Sequence, residues 1–127
     1  MEVKSLIITE KDKKQLIELI KSSEAVDPIA AKCRKKLLEE LKEATIVSAE
    51  NFPSNVVKIG SSITLSTRFG RKAGLELVIP SQADIQKGKL SALSPMGTAI
   101  IGYEEGSEVN WHFPQGDEII HIESVVN

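Results

Sequence analysis

Ser94-Pro95-Met96-Gly97-Thr98-Ala99-Ile100-Ile101-Gly102 decides the fold, with Tyr103-Glu104-Glu105-Gly106-Ser107-Glu108-Val109 directly after it. The run reads as a short buried helix with both ends specified, then a turn, then a strand. Ser94 is an N-cap, its hydroxyl placed to accept from a free backbone N–H of the first turn. Pro95 suits the first helical position, where a missing N–H costs nothing. Ile100 and Ile101 supply apolar surface, and Gly102 suits the residue past the helix end, where φ is often positive. The run carries no nucleophile, base or metal ligand, which points away from most enzymatic chemistry.

On its C-terminal side the sequence predicts a hairpin with Pro114-Gln115-Gly116-Asp117 as the turn. That turn sets Phe113 opposite Glu118, Trp111 opposite Ile120 and Val109 opposite Ile122. Side chains two apart share a face, so Val109, Trp111, Phe113, Ile120 and Ile122 gather on the side that burial selects. The opposite side carries Asn110, His112, Ile119, His121 and Glu123. Two imidazoles, diagonally placed, and one acid without a supporting shell do not specify a metal site, and His112 and His121 read as surface histidines.

On its N-terminal side, Val56-Val57-Lys58-Ile59, Gly60 and Ser62 to Thr67 read as strand, turn, strand. Phe69-Gly70-Arg71-Lys72-Ala73-Gly74 reads as a turn, and Leu75 to Ile79 as a strand that Pro80 ends. Ser48 to Asn55 is a linker, and Ala44 to Val47 a short strand. Residues 9 to 44 have the helical period instead. Thr9-Glu10-Lys11-Asp12 has the form of a capping box, followed by Leu16, Ile17, Leu19 and Ile20. Asp27 caps a second helix that Pro28 opens, with Ala30, Cys33, Leu37, Leu41 and Ala44 on one face. Two such helices with a short connection pack antiparallel, with Ser22 to Asp27 at the tip. Each arm is about 15 residues, a projection of roughly 20 Å. The switch of period divides the chain into residues 1–47 and 48–127, an α+β class.

The chain has 127 residues, 41% of them apolar, and a net charge of −2. That is enough for a core, and it gives no global field toward nucleic acid or a membrane. The lone Cys33 excludes an internal disulfide and sits on the apolar helical stripe as a small core residue. No stretch is long enough to span a bilayer or to serve as a signal peptide, so a cytoplasmic location is expected. Lys32-Cys33-Arg34-Lys35-Lys36 reads as a solvated helix face, with a patch for an acidic partner as the other reading.

Val57 to Leu65, Lys89-Leu90-Ser91, Ser94 to Gly102, Gly106-Ser107-Glu108-Val109 and Pro114-Gln115-Gly116 together resemble the C-terminal domain of the bacterial Gre transcript-cleavage factors. The short arms, with Ile7 to Asp12 and the segment Leu37 to Val57, are similar to the short-armed Rnk-type group, the regulators of nucleoside diphosphate kinase. The resemblance implies an FKBP-like antiparallel sheet wrapped on one short helix, after a short coiled coil. It also implies a partner, RNA polymerase, with the C-terminal domain at the rim of its secondary channel and the coiled coil entering it. The motif positions that match are Ser94, Pro95, Met96 and Gly97, and these are the partner-binding residues expected. Glu108 to Trp111 and the loop Phe69 to Gly74 are further candidates.

Gre factors stimulate transcript cleavage with acidic residues at the hairpin tip, which help to hold a Mg²⁺ of the polymerase. Here the tip offers Glu24 and Asp27, which do not match that acidic pair in order or setting, and Asp27 also caps a helix. Arms about half the usual length fall short of the polymerase active site. The expectation is therefore a factor that competes with longer channel factors, is no enzyme itself, and has no catalytic residue, cofactor or metal. Prolyl isomerase activity is rejected, because only five aromatics are present and two belong to the hairpin core. Direct nucleic-acid binding is expected to be weak at this net charge, with Lys58, Arg68, Arg71, Lys72, Lys87 and Lys89 in solvated loops. A monomer is expected, and nucleoside diphosphate kinase is the alternative partner.

Overall fold

The computed structural model describes residues 6–22, 28–113 and 116–127, and only the backbone of 111–113 and 116–117. The chain opens with β1 (Ile7–Ile8), then α1 (Glu10–Ser22), α2 (Pro28–Lys42) and β2 (Thr45–Ile46). A linker with one 3-10 turn leads to β3 (Ser62–Thr67) and β4 (Gly70–Val78). Two more 3-10 turns precede β5 (Lys89–Ser91), then come α3 (Pro95–Ile100), β6 (Glu108–Phe113) and β7 (Gly116–Val126).

The helical arms form where the period places them. The Thr9 hydroxyl accepts from the Asp12 amide at 3.2 Å and starts α1. Leu16 of α1 and Ala30, Cys33, Leu37 and Leu41 of α2 are buried, the stripe the sequence predicts. At the base, β1 and β2 pair in parallel, Ile7 with Thr45 and Ile8 with Ile46. The Thr45 amide donates to the Leu6 carbonyl at 2.7 Å, and the Val47 amide to that of Ile8 at 3.0 Å. Both arms therefore leave from and return to one place, which makes them an antiparallel hairpin. The tip residues, Glu24 and Asp27 among them, lie outside the described residues.

The second half is a five-stranded sheet in the order β5-β4-β3-β7-β6. It is mixed rather than wholly antiparallel: β4 and β5 run parallel, Leu77 opposite Leu90. The two 3-10 turns carry the chain back so that β5 starts at the same end as the paired part of β4. On either side of β3 the register shifts by one residue near Thr64 and Leu65, once against β4 and once against β7. Two bulges at one level bend a sheet strongly, and this one wraps its inner face around the core. Leu65, Leu77, Ile120 and Ile122 share that core with Ile100 of α3 and with Leu16, Leu37 and Leu41 of the arms.

Three further readings of the strands are corrected. Val56 to Ile59 is not a strand but a single rung: Val57 donates to the Tyr103 carbonyl and accepts from the Gly102 amide, both at 2.9 Å. Most of Phe69 to Gly74 is not a turn, because β4 already starts at Gly70, opposite Thr67. That part of β4 is exposed along its length, so it lacks the alternation that marks a half-buried strand. In the last hairpin Trp111 faces Glu118, Val109 faces Ile120 and Phe113 faces Gly116. The slip is two residues from the predicted register, with a shorter connection, and a slip of two keeps every side chain on its own face. It does separate the histidines: His121 now lies opposite Glu108 and His112 opposite Asp117.

Candidate functional site

The helix start that singled out this chain is built from the end of β5. The Ser91 carbonyl accepts from the Ser94 amide at 3.1 Å and from the Ser94 hydroxyl at 2.6 Å. That hydroxyl in turn accepts from the Gly97 amide at 3.0 Å, the cap the sequence predicts. Thr98 donates its hydroxyl to the Pro95 carbonyl at 2.9 Å, and Gly102 holds φ at +84° past the helix end. Ser94, Pro95 and Met96 are half-exposed and form one corner of the molecule. Gly97 is buried beneath them, and a Cβ there would meet the Ser91 carbonyl oxygen at 2.0 Å. Of the four motif positions, three present a surface and one permits the backbone contact that shapes it.

Two acids missed by the sequence reading fix the arms to the sheet half. Asp12 is nearly buried, and its carboxylate accepts from the Ile59 amide. Its pKa is raised: burial outweighs the relief given by that amide and by Lys58 and Lys11. Glu40 of α2 accepts from the Tyr103 hydroxyl at 3.5 Å. Its pKa is also raised, by burial, against relief from Lys36 and Tyr103, and the Tyr103 phenol is raised by burial and by the Glu40 charge. Asp12 occupies the capping-box position, so sequence alone gives it a local role. Glu40 follows no pattern at all.

The other candidates fall on the sheet. His121 pairs with Glu108 at 3.4 Å, and Glu123 pairs with Arg71 at 3.0 Å. Hydrogen bonds from Ser66 and Arg71 hold the Glu123 carboxyl below the usual range. Both groups considered for a metal thus have other partners, and the His112 side chain lies outside the described residues. Among the described residues, no three of His, Cys, Asp and Glu come together as a metal-holding group. No helix among them is long and apolar enough to cross a membrane.

Comparison with known proteins matches this geometry to one family. Residues 52–127 fit the model described as transcription elongation factor, GreA/GreB, C-term. Transcription elongation factor GreA of Syntrophobacter fumaroxidans is 33% identical over 92 residues, which are 72% of this chain and 59% of that protein. GreA of Syntrophomonas wolfei is 35% identical over 91 residues, 68% of this chain and 57% of that protein. The chain thus spans well under two thirds of these relatives. The solved structure of a prokaryotic transcription elongation factor GreA/GreB from Nitrosomonas europaea superposes with a TM-score of 0.77 at 27% identity, covering 98% of this chain and all of that one. The relatives' name corrects one expectation. A chain with no part in catalysis was expected, yet its relatives are called GreA, the cleavage-stimulating factors to which the resemblance pointed. By its sheet half, its capped helix and these relatives, the chain belongs to the GreA/GreB family of transcription elongation factors.

Proposed function

We propose that this protein binds RNA polymerase at the rim of the secondary channel and modulates elongation by competing there with longer-armed factors. The family match over residues 52–127 carries the reading, because that half is the part by which Gre-type factors dock. In this reading residues 48–127 are the anchor and residues 1–47 the finger. Ser94, Pro95 and Met96 make the contact, and Gly97 supports them. Glu24 and Asp27 travel with the finger into the channel mouth. Arm length favours competition: helices of 13 and 15 residues span about 20 Å. The protein acts as a monomer, in the cytoplasm, with no small-molecule substrate.

A second reading, stimulation of transcript cleavage in the same complex, is favoured by the name the relatives carry. Titration of labelled protein with purified core polymerase, with and without a long-armed GreA, tests the common part. Saturable binding that GreA displaces is expected, and absence of binding or of displacement overturns it. Backtracked elongation complexes then separate the two readings. Cleavage on addition of this protein alone selects the second; inhibition of GreA-dependent cleavage by an excess of it selects the first. Recovery of nucleoside diphosphate kinase in place of polymerase subunits would replace both.

A further inference from the structure

The outward face of the sheet carries a feature unrelated to the α3 corner. Leu65, Ile120 and Ile122 point into the core that α3 shares, so Ser66, Ile119 and His121, one residue along, point the other way. At the turn between β3 and β4, Arg68 donates Nε to Glu118 at 2.6 Å. Glu118 is only 5% exposed, so this guanidinium is tied to a carboxylate fixed in the sheet. Arg71 uses its own Nε on Glu123 at 3.0 Å. Both arginine side chains stay more than 60% exposed, and a guanidinium has donors beyond Nε for an acceptor from outside.

Apolar surface lies beside these cations. Phe69 is 77% exposed with the Arg68 guanidinium 5.0 Å from its ring centre, and Ile119 is 46% exposed. Beside Arg68 and Ile119 opens a cleft of about 480 Å³, lined also by Thr67, Glu118 and His121. An exposed aromatic ring held by an anchored cation is a preset contact surface, with little ordering left to do on binding.

Charge decides what fits. Residues 68–72 read Arg-Phe-Gly-Arg-Lys, three cations in five residues with no acid. The half that carries them, residues 45–127, has six basic and nine acidic residues. Its long-range field repels a polyphosphate chain, and Glu118 and Glu123 stand within the patch itself. An acidic peptide meets the same field, but its carboxylates alternate with apolar side chains that the exposed Phe69 and Ile119 can cover, which a polyphosphate lacks, and each carboxylate at contact gains a charge-assisted bond to a guanidinium.

We propose that this end of the sheet is a second docking surface, for an acidic protein segment. The segment's carboxylates meet Arg68 and Arg71, and an apolar side chain between them covers Phe69 and Ile119. The surface lies on the opposite side of the sheet from α3 and does not depend on polymerase binding.

A synthetic peptide of alternating Glu and Leu, titrated into the full chain under heteronuclear NMR, is the test. Its Gln/Leu counterpart and an oligothymidylate are run beside it. The acidic peptide is expected to shift residues 66–72 and 118–122 saturably, and the Gln/Leu peptide to bind at least about tenfold more weakly. Phe69→Ser, at an exposed position, should weaken binding by a similar factor while leaving the thermal midpoint unchanged. Arg71→Glu should lose the acidic peptide and gain a Lys/Leu one. Shifts elsewhere, no shifts, an equal response to the Gln/Leu peptide, or tighter binding of the oligothymidylate overturns the proposal.

Discussion

Replacing Gly97 by alanine sets two effects of opposite sign against each other. Gly97 lies inside α3, where alanine is intrinsically better by about 1 kcal/mol. Against this, the new methyl would lie 2.0 Å from the Ser91 carbonyl oxygen and 3.0 Å from the Ala92 Cα. Both are backbone atoms, so no rotamer change relieves the overlap. The end of β5 must move by more than an ångström, and the Ser91 carbonyl is what both the amide and the hydroxyl of Ser94 bond to. Two lost hydrogen bonds cost about 2 kcal/mol, and overpacking adds about 1–3 kcal/mol. After the helix-propensity gain the net loss is about 2–4 kcal/mol, a fall in thermal midpoint of roughly 8–16 °C for a domain of this size. Urea denaturation of Gly97→Ala, with the slope compared to that of the parent, measures it. A variant as stable as the parent would show that the β5–α3 corner is soft, and the structural role given to Gly97 would fall.

Ser94→Ala removes the acceptor of the Gly97 amide and a donor to Ser91, and should cost about 1 kcal/mol in chemical denaturation. Asn127→Ala unties the residue that follows β7: the Asn127 side chain accepts from Ser61 and donates to the Val56 carbonyl at 2.9 Å. Ser61 is fully buried, and its hydroxyl, which still accepts from the Lys58 amide at 2.9 Å, loses the acceptor for its proton, which brings the expected loss to about 1–3 kcal/mol. Glu40→Gln keeps an acceptor for Tyr103 and removes the buried charge. Because the pKa of Glu40 is raised above 4.5, the folded chain holds that proton more tightly than the unfolded one. The penalty is full above the folded pKa and fades as pH falls through it. The variant should therefore be slightly more stable than the parent at neutral pH, with the difference shrinking on acidification; thermal melts across that range read it.

What was legible in the sequence was whatever a single segment enforces. The ends of α3 are set by residues with few alternatives: Pro95 fits the first turn, Ser94 caps it, and Gly102 takes a φ of +84°. The arms were legible because one apolar stripe recurs at helical spacing. The register of β6 and β7 was not, since a slip of two leaves the same residues buried and burial cannot tell the two apart. The first half of β4 was hidden because it is exposed on both faces and held by β3 alone. The anchoring acids were hidden for a related reason. Asp12 and Glu40 accept from donors 47 and 63 residues away, and nothing in their own neighbourhoods records it.

Those two acids bear on how a short finger works. A hairpin joined only by its chain ends would swing about the linker, and its tip would sample a wide volume. Here α1 is tied by Asp12 to the Ile59 turn and α2 by Glu40 to Tyr103. β1 also reaches the sheet half directly, the Ile7 amide donating to the Gly102 carbonyl at 3.2 Å. Leu16, Leu37 and Leu41 belong to the same apolar cluster as Ile100 and Ile120. The Gly102 that ends α3 also packs against Leu6, so the capped corner and the finger base are built on one another. In the docking proposed above, a partner that grips the Ser94–Met96 corner fixes the direction of the arms without gripping them. Under that docking, cutting Asp12 or Glu40 should weaken inhibition of GreA-dependent cleavage more than it weakens binding to core polymerase, because binding rests on the corner and inhibition on where the arms point; equal losses in the two assays refute it.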